Sequence, residues 1–374
     1  MSAARFPSTA RIDLEALAHN HAVLAERAQG RPMIGVVKAD AYGHGLAEVG
    51  ATLLDCGVAY LGVAQLAEAF TLREALPQAP ILSWIYPPGA DLVAAIEAGI
   101  EISVPAPWAI EEIASAAETA GTPARIHLEI DTGMSRGGLT AAQLGGAAER
   151  LAELEGRATE VVGLWSHLVR ADEPDHPLTA QQTRQLIEAG ETVANLGLHP
   201  IRHLANSAGL LWHEATHLDM VRPGIALYGL SPNPAVASAE QLGLRPVMSL
   251  EAPVVSVREV PAGTGVSYNH TEQVGPCRLA TVPLGYADGI PRAASRRAEV
   301  VAGRRRKIIG TVCMDQFVIE GEDLEAGDCV RLFGADAPSA DEWAAHCGTI
   351  GYEITTRIGP RVPRRYSKGS HENR

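Results

Sequence analysis

Met33-Ile34-Gly35-Val36-Val37-Lys38-Ala39-Asp40-Ala41-Tyr42-Gly43-His44-Gly45 is the stretch from which the rest of the chain is read. The run Met33–Val37 is short and continuously apolar, as a strand buried on both faces must be. A lysine at the end of such a strand is costly unless it is exposed, paired or chemically used. The glycines after it let the backbone turn tightly beside a ligand. A strand that ends in a reactive side chain and a tight turn matches the C-terminal rim of parallel α/β barrels, where function collects.

Runs of the same kind recur downstream at Tyr60–Val63, Ile81–Ile85, Ile100–Val104, Ile126–Ile130, Val161–Trp165, Ile201–Leu204 and Leu218–Val221. Among the segments between them, Gln65–Leu76, Trp108–Ala120, Ala141–Glu155 and Leu178–Leu196 have helical composition and length. Eight strand candidates alternating with helices predict an α/β protein with an N-terminal (β/α)8 TIM-like barrel; an open doubly wound sheet is the alternative. No GxGxxG follows the first strand, which weighs against a dinucleotide site. Trp84, Trp108 and Trp165 read as core. Near residue 243 the pattern changes to β: Val254–Val260, Cys277–Val282, Lys307–Val312, Phe317–Ile319 and Cys329–Leu332, with only Asp341–His346 helical. The expected division is therefore 1–243 and a mainly β domain, 244–374. The basic run Arg304–Lys307 reads as a solvated turn, and the polar tail from Ser367 as frayed.

Composition bounds the function. The chain has 374 residues, 46% apolar and 20% charged, with a net charge of −13. That supports two packed domains and excludes disorder over most of the length. The acidic balance argues against a nucleic-acid or anionic-membrane binder. No apolar run approaches the ~18 residues of a membrane span. Five scattered cysteines without CxxC spacing fit free thiols in a reducing cytoplasm. His199–His203 and His213–His217 are spaced i, i+4, but no further ligands accompany them, so no metal site is expected.

The remaining strand ends are chemically loaded. The fifth runs into Glu129-Ile130-Asp131-Thr132-Gly133-Met134-Ser135-Arg136, the sixth into Ser166-His167, the seventh into Asn206-Ser207 and the eighth into Arg222-Pro223-Gly224-Ile225. The last two are the usual phosphate site of such a barrel. Here they supply the Ser207 hydroxyl and the expected free N–H groups of Gly224 and Ile225. A lysine facing a phosphorylated aldehyde cofactor is the Schiff-base arrangement of pyridoxal phosphate enzymes. On spacing alone, sugar-phosphate aldolases and other phosphate-binding barrels remain open.

The motif Val36 to Gly45 closely resembles the cofactor-lysine motif of alanine racemases. The resemblance continues through Asp131–Arg136, His203–Ser207 and Met220–Ile225. It extends into the β domain at Val266-Ser267-Tyr268, Gly285–Gly289, Cys313-Met314-Asp315-Gln316 and Arg361–Arg364. It covers nearly the whole chain, in order, and so many motifs in sequence are highly specific.

The resemblance implies that Lys38 carries pyridoxal 5'-phosphate as a Schiff base. It assigns phosphate contacts to Tyr42, Ser207, Gly224, Ile225 and Tyr352. It points Arg222 at the pyridine nitrogen, sets His167 beside the ring and gives His203 the support of the arginine. Arg136 and the Met314 N–H would hold the substrate carboxylate, with Asp315 and the entrance residue Tyr286 in support. Tyr268 matches the second catalytic base, shared across a homodimer. A two-base racemase needs groups on both faces of the α-carbon, here Lys38 and Tyr268. Both normally titrate near pKa ~10, so both must be perturbed to act near neutral pH. The implied enzyme is cytoplasmic and interconverts L- and D-alanine, the latter feeding peptidoglycan. One departure stands out. Many family members carry a lysine, modified to a carbamate, where this chain has Glu129, which is expected to supply the carboxylate directly and pair with Arg136. The competing readings are a racemase for serine or another amino acid, a non-catalytic pyridoxal phosphate carrier, and a basic-amino-acid decarboxylase. The last would favour an acidic partner where Arg222 stands.

Overall fold

The computed structural model describes residues 7–367. The described chain forms two compact units and passes between them more than once: 21–41 with 46–227, and 7–20 with 42–45 and 228–367.

The first unit is a barrel. Ile34–Val36, Tyr60–Gln65, Ile81–Ile85, Ile100–Val104, Ala124–Glu129, Thr159–Trp165 and Ile201–His203 pair in parallel, each with the next in sequence. The eighth position closes the ring. Met220 bridges to His203 and Val221 to Met33, both in parallel. The expected strand Leu218–Val221 shrinks to these two residues for a local reason. Leu218 has φ 48°, outside the strand region, and Pro223 has no N–H to continue the ladder. The helices between strands bury one face each. In Trp108–Ala120 the buried positions Ala109, Ile110, Ile113, Ala114 and Ala117 follow the helical repeat, and Gly121 ends the helix at φ 70°. Leu66–Ala75, Ala141–Leu154 and Leu178–Ala194 occupy the other segments of helical composition.

The second unit is built on a nine-stranded sheet in the order Ser256–Val260, Cys277–Val282, Phe317–Glu320, Arg304–Ile309, Glu299–Ala302, Cys329–Phe333, Met248–Pro253, Thr9–Asp13, Arg364–Ser367. All neighbours are antiparallel except the last two. Trp343, Phe317, Phe333 and Ile12 are fully buried in it.

Several expectations are corrected here. Thr9–Asp13 was not expected as a strand. It joins this sheet from the start of the described chain, with Ala10 opposite both Leu250 and Arg364. Arg304–Lys307 is not a turn. The turn is Gly303, at φ 70°, and the basic run is the first part of a strand paired with Glu299–Ala302. Arg304 and Arg305 are held by Glu320 and Glu342, while Arg306 is buried and donates to the Ala302 carbonyl. Gly351–Thr356 is a further helix, hidden in the sequence by its glycine start and paired threonines. Of the polar tail, residues 368–374 lie outside the described residues.

Candidate active site

The lysine turn is the first element of the site. After Lys38, the residues Ala39, Asp40, Ala41 and Tyr42 all have φ between 53° and 55°, so the backbone winds left-handed for a full turn. Non-glycine residues pay about 1–2 kcal/mol each for this conformation, and such strain persists where surrounding structure enforces it. Ala39 N–H donates to Glu68, Ala41 N–H to the Val37 carbonyl and Leu46 N–H to Asp40. Gly43 completes the turn with no room for a side chain: a Cβ there would stand 2.3 Å from the Thr355 carbonyl oxygen.

Among the described residues the Lys38 side chain has no hydrogen-bond or ion-pair partner. Burial, followed by the charge of Arg136, lowers its pKa from the ordinary lysine value; Glu68 opposes the shift, and Arg222 adds a smaller lowering. Glu129, Ile130, Asp131, Met134, Arg136, Gly137, Ser166 and His167 line one small cavity. Asp131 shapes its rim by accepting from the Gly133 and Ser135 N–H groups. Thr132, Ser166 and Gln182 are joined by hydrogen bonds behind it. His167 is kept neutral: burial, then Arg222, Arg136 and Lys38, push its pKa down to about 3. The expected Glu129–Arg136 pair is absent. The Glu129 carboxylate, 9% exposed, packs against Gly137 instead. Burial raises its pKa to about 7, with Arg136 and Arg222 only moderating the shift.

Arg222 is fixed from two sides. NH1 donates to the His203 carbonyl (2.6 Å) and ring Nδ1 (3.1 Å), and NH2 to the Ser166 carbonyl (2.7 Å). Its guanidinium lies 5.0 Å over the Trp165 ring, which gives that tryptophan a role beyond core packing. The Nε–H is left uncommitted. Ser207 Oγ accepts from the N–H groups of Gly224 (2.9 Å) and Ala226 (3.3 Å). The Gly224 N–H is therefore not free as expected, whereas the Ile225 N–H, at the start of the short turn Ile225–Tyr228, has no acceptor.

The remaining candidates belong to the second unit. Tyr42 is buried there, its ring 4.7 Å from Tyr228 and 6.2 Å from Tyr352, and burial raises its pKa. Tyr268 is 70% exposed on a strained loop, with positive φ at Ser267, Asn269 and His270. Tyr286 and Met314 sit on two interlocked loops. Tyr286 N–H donates to the Cys313 carbonyl and Ala287 N–H to that of Met314, while Arg361 bridges Asp288 and Asp315. The Met314 N–H has no acceptor. A Cβ on Gly285 would meet the Met314 carbonyl oxygen at 2.2 Å, so glycine is required there.

Sequence reasoning missed Glu101, His127 and Gly163. The alternation Arg125-Ile126-His127-Leu128-Glu129 was the available signal, because period two puts the three polar residues on one face of the strand. In the structure Glu101, His127 and His203 form a buried hydrogen-bonded row ending at Arg222.

Residues 12–232 match the family model of the alanine racemase N-terminal domain and 247–366 that of the C-terminal domain. An alanine racemase from Thermobifida fusca is 50% identical over 367 residues, covering 96% of this chain and 97% of its own. The solved alanine racemase of Streptomyces coelicolor is 44% identical with a TM-score of 0.94, covering 98% and 99%. That of Bartonella henselae, solved with covalently bound pyridoxal phosphate, is 29% identical with a TM-score of 0.86, covering 96% and 99%. Matched in both domains and over nearly its whole length, the chain belongs to the alanine racemase family.

Proposed function

We propose that the chain interconverts L-alanine and D-alanine, with pyridoxal 5'-phosphate held through Lys38. The observation that carries this reading is Lys38 itself: an amine at the end of a barrel strand, without an ion-pair partner, its pKa lowered by burial and by Arg136 and Arg222. Such an amine is both nucleophile and base closer to neutral pH than an ordinary lysine. The residues present fit the cofactor. Among the described residues Arg222 has an uncommitted Nε–H suited to a ring nitrogen; within the barrel unit the Ser207 hydroxyl and the Ile225 N–H, and within the other unit the Tyr42 and Tyr352 hydroxyls, are donors of the kind a phosphate takes. Lys38, Arg136 and Arg222 place three cationic side chains close enough to act on one another at the barrel rim, where an anionic ligand would meet them.

The cofactor, when bound, acidifies the α-proton of an amino acid by drawing charge into its ring. The Lys38 Nζ takes or returns that proton on one face, and the Tyr268 hydroxyl does so on the other. Arg136 and the Met314 N–H hold the substrate carboxylate. Neutral His167 adds no charge beside the ring. Arg222, an arginine and so almost never a proton donor, would hold the ring nitrogen by a hydrogen bond without giving it a proton. Tyr268 and Met314 are 70% and 52% exposed in their own chain. This supports a homodimer in which each copy completes the other's site, with Tyr286 and Asp315 shaping the entrance. The enzyme is read as cytoplasmic, its D-alanine supplying peptidoglycan. Among the described residues no helix is long and apolar enough to cross a membrane.

Chiral chromatography of L-alanine incubated with the protein and pyridoxal phosphate tests the reading, with Tyr268→Phe in parallel. The expected result is conversion to equal L and D forms, strongly reduced in the variant. No conversion of alanine, with another amino acid racemised instead, overturns the substrate assignment. An unimpaired Tyr268→Phe overturns the second base.

A further inference from the structure

The interior of the barrel holds a polar chain where folds of this kind are usually filled by branched apolar side chains. Arg125 Nε donates to Glu101 Oε1 at 2.7 Å, Glu101 Oε2 lies 2.7 Å from His127 Nε2, His127 Nδ1 lies 2.8 Å from His203 Nε2, and His203 Nδ1 lies 3.1 Å from Arg222 NH1. Both imidazoles are 0% exposed. The row begins at Arg125, the second residue of its strand, whose side chain is 49% exposed, and ends at Arg222. Gly163 makes the space for it, since a Cβ there would stand 2.0 Å from His127 Nδ1.

The partners leave only one arrangement of protons. A guanidinium has no acceptor, so His203 Nδ1 must accept from Arg222. A neutral His203 then carries its proton on Nε2 and donates to His127 Nδ1. His127 in turn carries its proton on Nε2 and donates to the Glu101 carboxylate. Reversing the row would bring a His203 Nδ1–H against the Arg222 NH1 donor, and protonating His203 would bring a cation against a cation. A buried polar row is costly unless every member is satisfied, and this one is satisfied in a single direction.

We propose that Glu101 is a positioning residue for the reaction: through His127 and His203, each neutral with its proton on Nε2, it fixes the plane of the Arg222 guanidinium and so aims its remaining Nε–H. This rests on the reading of Arg222 as the partner of the cofactor's ring nitrogen. The carboxylate acts by anchoring the His127 proton. Arg222 and the acceptor-only carboxylate impose the same proton order from opposite ends; with an amide in place of Glu101 only the Arg222 end is held, and a minor population with the proton on His127 and His203 Nδ1, which costs the Arg222 contact, becomes accessible.

The test uses the holoenzyme with 15N-labelled histidine, in wild type, Glu101→Gln and Glu101→Asp. Imidazole 15N spectra read the tautomers, and alanine racemisation gives kcat and KM. In wild type, both buried imidazoles should be neutral Nε2–H forms. Glu101→Gln should show mixed tautomers and a kcat lower by about ten-fold with KM nearly unchanged, and Glu101→Asp should restore both in part. A wild-type His127 or His203 that is cationic or carries its proton on Nδ1 overturns the proposal, and this decides it even if a variant fails to fold. A folded Glu101→Gln with wild-type kcat also overturns it. The tautomers are read whether or not the protein racemises alanine, so failure of the activity and failure of the relay are distinguishable.

Discussion

Glu129 shows how much one residue can depend on its surroundings. Read from sequence it is a carboxylate beside an arginine. In the fold it is buried against Gly137 with no ion pair, and its pKa rises to about 7. A folded pKa above the unfolded one means that the native state holds the extra proton, so this contribution to stability is present below the unfolded value of about 4.5. It fades as pH rises through 7, by about 3 kcal/mol in total. Denaturant unfolding of the cofactor-free protein between pH 4.5 and 8 should therefore show a decline that Glu129→Gln lacks; an identical decline in both would remove Glu129 as its source. The same variant cannot gain charge through neutrality, so its racemisation should differ from wild type most above pH 7. At Tyr268 the hydroxyl is the only group at stake. Tyr268→Phe should lower kcat by about 100-fold or more while leaving thermal stability unchanged, because the side chain is 70% exposed.

At the scale of elements, the left-handed turn Ala39–Tyr42 is a conformation that local propensity opposes. Its residues do not announce it, since alanine, aspartate and tyrosine all prefer negative φ. Ala39 is exposed, so replacing it by glycine removes strain without removing packing. Ala39→Gly should stabilise the protein by about 1 kcal/mol in denaturant unfolding, and a loss of stability would contradict the strain argument. Gly163 is the reverse case, a glycine demanded by a neighbour's ring and not by its own φ. Gly163→Ala should cost about 2 kcal/mol or more, because the imidazole it meets is hydrogen-bonded on both sides and cannot retreat.

For the molecule as a whole, the exposure of Tyr268, Tyr286 and Met314 on one unit, and of Arg136 on the other, is what sites completed by a second copy would leave on a single chain. Mixing two inactive variants tests this directly. A chain with Lys38→Ala keeps its tyrosine, and one with Tyr268→Phe keeps its lysine. If sites are shared, a hybrid dimer has one intact site, and random re-assortment restores about a quarter of wild-type activity. If each chain builds its own site, the mixture stays as inactive as its components.

Much of the fold was legible because it rests on local periodicity. The continuous apolar runs marked the strands, most within a residue or two, and Trp108–Ala120 matched the expected helix end to end. The candidate residues at strand ends were legible because a polar group after a buried strand is unusual wherever it occurs. Other features depend on partners far away in sequence. Thr9–Asp13 is a strand because Met248–Pro253 and Arg364–Ser367 pair with it. Glu129 is protonated or not according to how deeply the fold buries it. The proton order of the Glu101–His127–His203 row follows from an arginine 19 residues beyond the second histidine. Sequence by itself determined the succession of strands and the chemical inventory of their ends. Tertiary structure alone decided which of those groups are paired, buried or left open, because hydrogen bonding and desolvation act through space and not along the chain.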